Sequence, residues 1–231
     1  MRFKRIFEAE EDGMKKNYFR FLKMLPLLCA FTILEAKADE SSQTQIVKEL
    51  VYKEFHDPGY VYFLTEKGKE LEAAFYYRFI TYEQIEKWSV GEKFELVIDA
   101  NKGVGVRHKS EAEFFKVVFA RPDNPIGLLE KTCLETAVTT LDIAGCFHQS
   151  AERWRRESDY LFRELSTSAS KTVFGQLSDA RTKWLAYEAS LMDSFYTYGQ
   201  EQGGSIMKIH SASLKSELAQ SFYYQTVRFF E

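Results

Sequence analysis

Ala120-Arg121-Pro122-Asp123-Asn124-Pro125-Ile126-Gly127 packs two of the chain's four prolines, a glycine and an Asp-Asn pair into one short run. Proline removes a backbone donor and glycine loosens the backbone, so such a run punctuates regular structure. The hydrophobic period differs on its two sides, and that difference decides the fold. The run reads as a linker over 121–127, between a small β-rich domain at 39–120 and a helical domain at 128–231.

Upstream, period two dominates. Phe75, Tyr77 and Phe79 alternate with Tyr76, Arg78 and Ile80; Phe94, Leu96 and Ile98 alternate with Glu95, Val97 and Asp99. This is the pattern of strands with two unlike faces. Asp99-Ala100-Asn101-Lys102-Gly103 reads as a hairpin turn returning through Val104 and Val106, and Phe115, Val117 and Phe119 offer a last strand. Tyr60 to Leu64, behind Pro58-Gly59, is an earlier one. Roughly five short strands in this span predict a small β-barrel-like or strongly bent sheet. Ile46, Val47, Leu50 and Val51 have helical spacing but are short and largely β-branched, which leaves them open between helix and strand.

Downstream, the period becomes that of helices. Phe147, Ala151, Trp154, Ser158, Leu161 and Leu165 recur at intervals of three and four, as do Leu177, Ala180, Trp184, Tyr187, Leu191 and Tyr198. A third stripe holds Leu214, Leu218, Phe222 and Phe229. The small polar run Ser166 to Ser170 separates the first two, and Gly199 to Ser205 the second from the third. Three long helices on short loops predict an antiparallel three-helix bundle, and with the sheet an α+β fold class. Thr139 or Thr140 suits the N-cap of the first and Ser205 that of the third. A short helix around Leu128 to Ala137 leads into a tight corner before them.

The N-terminus has the order of a signal peptide. Lys15-Lys16, Arg20 and Lys23 precede an apolar run from Met24 to Leu34, and Ala36-Lys37-Ala38 follows as an A-x-A cleavage site. Segment 1–38 is therefore expected to be removed near Ala38, leaving Asp39 first in a periplasmic or secreted bacterial protein. The acidic cluster Glu8, Glu10, Glu11 and Asp12 makes Met14 a candidate start. An uncleaved anchor is the alternative, but the apolar run is about half the ~20 residues that cross a bilayer. No membrane span is expected in the mature form.

Cleavage removes eight of 31 basic and five of 34 acidic residues, leaving a net charge of −6. That disfavours nucleic acid and suits a basic partner. Cys29 leaves with the signal, so Cys133 and Cys146 remain as an even pair in an oxidising compartment and are expected to form a disulfide. Two reduced core thiols are the alternative. Continuous helix would hold the pair about 20 Å apart, so the chain must double back between them.

The run Cys146-x7-Trp154-x2-Glu157-x-Asp159-x2-Phe162-x2-Leu165, then Ala180-x3-Trp184-Leu185-x-Tyr187, then Gly203-Gly204-Ser205 and a closing helix with Arg228, resembles the lysozyme-inhibitor LprI-like domain. The likeness covers Cys133 to the end. The family's pattern has a Trp-Asp, a Leu-Asn and a Tyr on the first long helix, then an Ala-Gln-x-x-Trp and a Tyr-Arg on the next. Here Arg155 stands for the Asp, Ser158-Asp159 for the Leu-Asn, Phe162 for the Tyr, Arg181 for the Gln and Glu188 for the Arg. Trp154, Glu157, Asp159, Ala180, Trp184 and Tyr187 are the motif residues to which the resemblance gives structural roles.

No catalytic residue and no cofactor are expected. His56, His108, His148 and His210 are scattered without a partner at metal-ligand spacing. A wall hydrolase needs two carboxylates about 5 to 9.5 Å apart across a cleft. Glu157 and Glu164 instead share a helix with Arg153, Arg155, Arg156 and Arg163, which reads as a solvated, ion-paired face. The serines lack a nucleophile elbow. Trp154 and Trp184, on apolar stripes, are expected in the core.

Tyr198, Gln200, Glu201, Gly203, Gly204 and Ser205 form the candidate binding loop. The glycines equally suit a plain helix-ending turn followed by an N-cap. The resemblance implies an exported, non-enzymatic binding protein that inhibits a lysozyme or muramidase. A structural or envelope-assembly module is the alternative, and a cell-wall hydrolase the third.

Overall fold

The computed structural model describes residues 44–229 apart from 57, 58, 77, 78 and 203. The segment 1–38 expected to be a signal peptide, with its expected cleavage site, lies outside the described residues. Those described belong to one compact unit, Ser42–Glu231.

Seven strands come first: β1 Gln45–His56, β2 Tyr60–Thr65, β3 Glu70–Ala74, β4 Lys93–Asp99, β5 Gly103–His108, β6 Phe114–Lys116 and β7 Val118–Phe119. They form one open antiparallel sheet in the order β6-β5-β4-β1-β2-β3-β7. The long β1 sits at its centre, paired to β2 on one side and β4 on the other, with register shifts at Tyr52/Glu54 and Ile46/Lys48. Bulges of this kind bend a strand and raise its twist. The two outermost strands, β6 and β7, are separated in the chain only by Val117. Since two residues reach at most about 7 Å, the sheet curls until its edges meet in the single run 114–119. The bent-sheet reading holds, without a closing ladder.

Three stretches differ in detail from the sequence reading. Ile46, Val47, Leu50 and Val51 belong to β1, where Leu50 and Tyr52 alternate inward. The alternation at 75–80 lies beyond the strand: β3 ends at Ala74, and the amides of Phe79 and Ile80 turn back onto the Tyr76 carbonyl. Phe75 and Ile80 are buried all the same. The last strand is split in two because its halves pair with opposite edges, β5 and β3.

Among the described residues five helices accompany the sheet: α1 Tyr82–Ile85, α2 Pro125–Thr136, α3 Thr140–Ser168, α4 Lys171–Gln202 and α5 Ile206–Val227. The segment 121–127 carries the chain from sheet to helices as a 3-10 turn, Arg121–Asp123, and the start of α2, with Asn124 and Ile126 buried. Asn124 caps α2 by accepting from the Ile126 amide. Thr139 caps α3 in a reciprocal box with Asp142. Between these helices the chain doubles back and joins Cys133 to Cys146, with Cα atoms 5.7 Å apart. Among the described residues, no helix is long and apolar enough to cross a membrane.

Helix α4 runs antiparallel to α3, since Asp159 meets Arg181 and Arg155 meets Glu188. It runs antiparallel to α5 as well, since Trp184 stacks on Phe222 and Gly199 lies against Met207. The buried face of α5 is Ala212, Ser216, Ala219, Tyr223, Thr226 and Val227. The larger stripe read from sequence, Leu214, Leu218 and Phe222, is half-buried. Small side chains let a helix approach closely, so α5 seats its narrow face inward.

Side chains of sheet and helices form one core, in which Trp154, Leu161, Tyr223 and Val227 join Phe63, Phe94, Val106 and Phe119. Within it Glu157 of α3 pairs with Lys116 of β6, the two side chains 1% and 3% exposed. The Val104 amide donates to Glu157 Oε2 at 2.7 Å. Lys116 Nζ lies 4.7 Å from the centre of the Tyr160 ring. Gly103 lies directly beneath: a Cβ there would come within 2.0 Å of Glu157 Oε2. The solvated-face reading of Glu157 is thus corrected, because its partner lies on a strand and not on its own helix. Burial pushes the Lys116 ammonium below its ordinary pKa, with Glu157 opposing.

Lys116→Met or Glu157→Gln alone should each cost about 3–5 kcal/mol, because each leaves one buried charge unpaired. The double variant should cost clearly less than the sum, with urea unfolding giving the coupling. Replacing both cysteines by serine should cost on the order of 3 kcal/mol in the chain-entropy model, read as a lower Tm.

Candidate functional site

A 32-residue helix buries little of itself. Of the described α4 side chains only Leu177 and Glu188 are buried, while Val173, Leu185, Tyr187, Tyr196 and Tyr198 are exposed. Its apolar stripe is therefore only partly covered. Ser170 starts it by accepting from the Val173 amide. Near its start Phe174 packs on Phe162, centroids 5.3 Å apart. Further on, Trp184 stacks on Phe222 at 5.6 Å.

Between these two contacts α3, α4 and α5 enclose a cleft of about 530 Å³. Its walls are Phe162, Leu165, Leu177, Ala180, Trp184, Tyr187, Phe222 and Phe229; Arg181, Lys183, Gln225 and Thr226 complete the lining. Both charged residues of the lining are cations, and none is a carboxylate. Arg181 pairs with Asp159 and lies 4.9 Å above the Phe162 ring. Lys183 pairs along the helix with Asp179 at 2.6 Å. The indole Nε1 of Trp184 is buried without a hydrogen-bond partner, as is Nε of Arg155.

Of the motif residues, Trp154 and Glu157 lie in the core, Trp184 lines the cleft half-buried, and Tyr187 stands at its exposed edge. Ala180 also lines the cleft, and Asp159 holds Arg181. Phe162, Leu165, Phe222 and Phe229 carry the walls; sequence reading placed the last three on packing stripes and Phe162 at the position of the family's Tyr. Their stripes are legible; that the stripes stop short of meeting is not.

The candidate loop is shorter than its residues suggested. Helix α4 runs on to Gln202, so Tyr198, Gln200 and Glu201 occupy its last turns. Gly199, read as a breaker, stays helical, with its Cβ position 3.4 Å from Met207 Cβ where α5 crosses. Gly203 lies outside the described residues. Gly204 has φ +115°, a left-handed conformation that suits glycine. Ser205 precedes α5 without a side-chain cap bond. Tyr198 and Glu201 are exposed here.

A smaller hollow of about 180 Å³ lies at the sheet, lined by Trp88, Phe115, Glu92, Glu111, Glu113, His108, Gln84 and Lys87. His108 Nε2 is 3.5 Å from Glu92. Among the described residues no group of three or more His, Cys, Asp or Glu is placed to hold a metal ion.

The Arg155–Glu188 pair ties α4 to α3 with Glu188 almost fully buried. Arg155→Glu or Glu188→Arg alone should cost about 2 kcal/mol, the scale of a charged hydrogen bond. The double exchange should recover most of that loss in thermal unfolding.

Compared with known proteins, the chain matches no family model, no curated protein and no solved structure.

Proposed function

We propose that the chain is an exported, non-enzymatic binding protein that docks a basic, muramidase-like enzyme through the far end of α4. The exposed tyrosines near the end of α4 carry this reading. Tyr196 and Tyr198 stand in solvent on opposite sides of its last turns, with Leu185 exposed three turns before Tyr196. Tyrosine is enriched at protein interfaces because a large, stiff ring ends in a polar handle. The net charge of −6 expected after cleavage favours a basic partner. The Cys133–Cys146 bridge suits an oxidising compartment.

The charge pattern supports the LprI-like resemblance. Where that family's pattern has Asp and Arg, this chain has Arg155 and Glu188, and these two pair across α3 and α4. Where the pattern has Asn and Gln, it has Asp159 and Arg181, and these pair as well. The departures fall in contacting couples, as expected when one interhelical contact is kept with its polarity changed. The large cleft offers no carboxylate for hydrolysis.

The test is inhibition of a muramidase on cell walls by the purified protein. Micromolar protein should slow the enzyme, less so at high salt, where the Debye length falls to about 3 Å. Tyr198→Ala with Glu201→Ala should weaken it by about 2 kcal/mol, the scale of a lost hot spot. Unchanged inhibition would clear this end of α4, and no inhibition even at low salt would transfer the surface to an envelope-assembly role.

A further inference from the structure

We propose that the cleft between α3, α4 and α5 is a binding site for a free long-chain fatty acid, its acyl chain along the cleft and its carboxylate at the Arg181–Lys183 rim. The site is separate from the far end of α4: Trp184 and Tyr198 are about 21 Å apart along the helix. It does not depend on what Tyr198 and Glu201 bind.

Three observations define the occupant. The cleft, at about 530 Å³, is in the range of small-molecule sites. It is elongated, since its lining follows α4 from Leu177 to Tyr187, about 15 Å of helix. A cleft that follows one helix for that length suits a linear chain. Its walls are aromatic and aliphatic, while Arg181 and Lys183 are its only charged lining residues among those described.

The two cations already have carboxylate neighbours, Asp159 and Asp179. The Lys183–Asp179 pair is exposed and the Arg181–Asp159 pair partly so, and exposed pairs are held by little free energy. A ligand carboxylate brought to the same rim by its buried chain can therefore share these donors. Long basic side chains reach such a head group while their stems cover apolar wall.

Calorimetric titration of the purified protein with laurate tests this. Laurate should bind one to one at micromolar concentration. Dodecanol, with the same chain and no charge, should bind roughly tenfold more weakly, the loss of one charge-assisted contact. Arg181→Gln with Lys183→Gln should bring laurate down to the dodecanol level. Ala180→Trp should fill the cleft and abolish binding of both.

Equal binding of laurate and dodecanol, or no laurate binding by the unaltered protein, would overturn the proposal. A bromine-labelled fatty acid keeps the site testable even if Ala180→Trp does not fold. It should quench tryptophan fluorescence in the unaltered protein, and Trp184→Phe should remove that quenching. Quenching that persists would place the ligand elsewhere and sink the assignment.

Discussion

Burying Lys116 and Glu157 side by side is the constraint on which the rest of the molecule depends. Taking two charges out of water costs several kcal/mol per ion and is offset only when they meet in good geometry with their remaining hydrogen bonds made. Here Glu157 takes Lys116 on one oxygen and the Val104 amide on the other, and the Tyr160 ring faces the ammonium. Apolar burial alone is non-directional and would tolerate α3 rotated or slid along the sheet. The ion pair does not. It fixes the rotation and height of α3 against β5 and β6, and it requires the missing side chain at Gly103.

Once α3 is set, α5 follows, because its small residues and Tyr223 fit against the same core. Helix α4 is the outermost layer. It touches the bundle through Leu177, two interhelical ion pairs and the Trp184–Phe222 stack. A helix with so few buried contacts is among the segments expected to open first. The same shallow seating leaves a cleft beneath it and exposed tyrosines near its end. Both candidate binding features thus arise from one cause, a long amphipathic helix whose apolar stripe exceeds what its neighbours cover.

The charges on α3 show how much depends on the third dimension. In sequence they suggest pairs three and four residues apart, and one such pair forms, Glu152 with Arg156 at 3.9 Å. Arg155, Glu157 and Asp159 instead find partners on α4, on β6 and on α4 respectively. Neighbours on one helix face different directions, so adjacent charges end as a core anchor, a half-buried tie and a surface pair.

The sequence by itself determined the kind and order of most elements, but not of β1, left open, nor of the stretch after Ala74, read as strand. Period-two alternation marked β2, β4 and β5, the Asp99–Gly103 turn joined the last two, and period 3.6 marked three long helices after residue 139. The Cys133–Cys146 pair with Thr139 between them required the corner where α2 gives way to α3. These features are local, written in side-chain spacing and turn chemistry over a few residues. Tertiary structure alone decided that β6 and β7 lie on opposite edges of one sheet, that Glu157 is a buried anchor, and that Trp184 borders a cleft. Each depends on which residues meet across large separations in the chain, and hydrophobic spacing tells which face turns inward without telling what, if anything, will cover it.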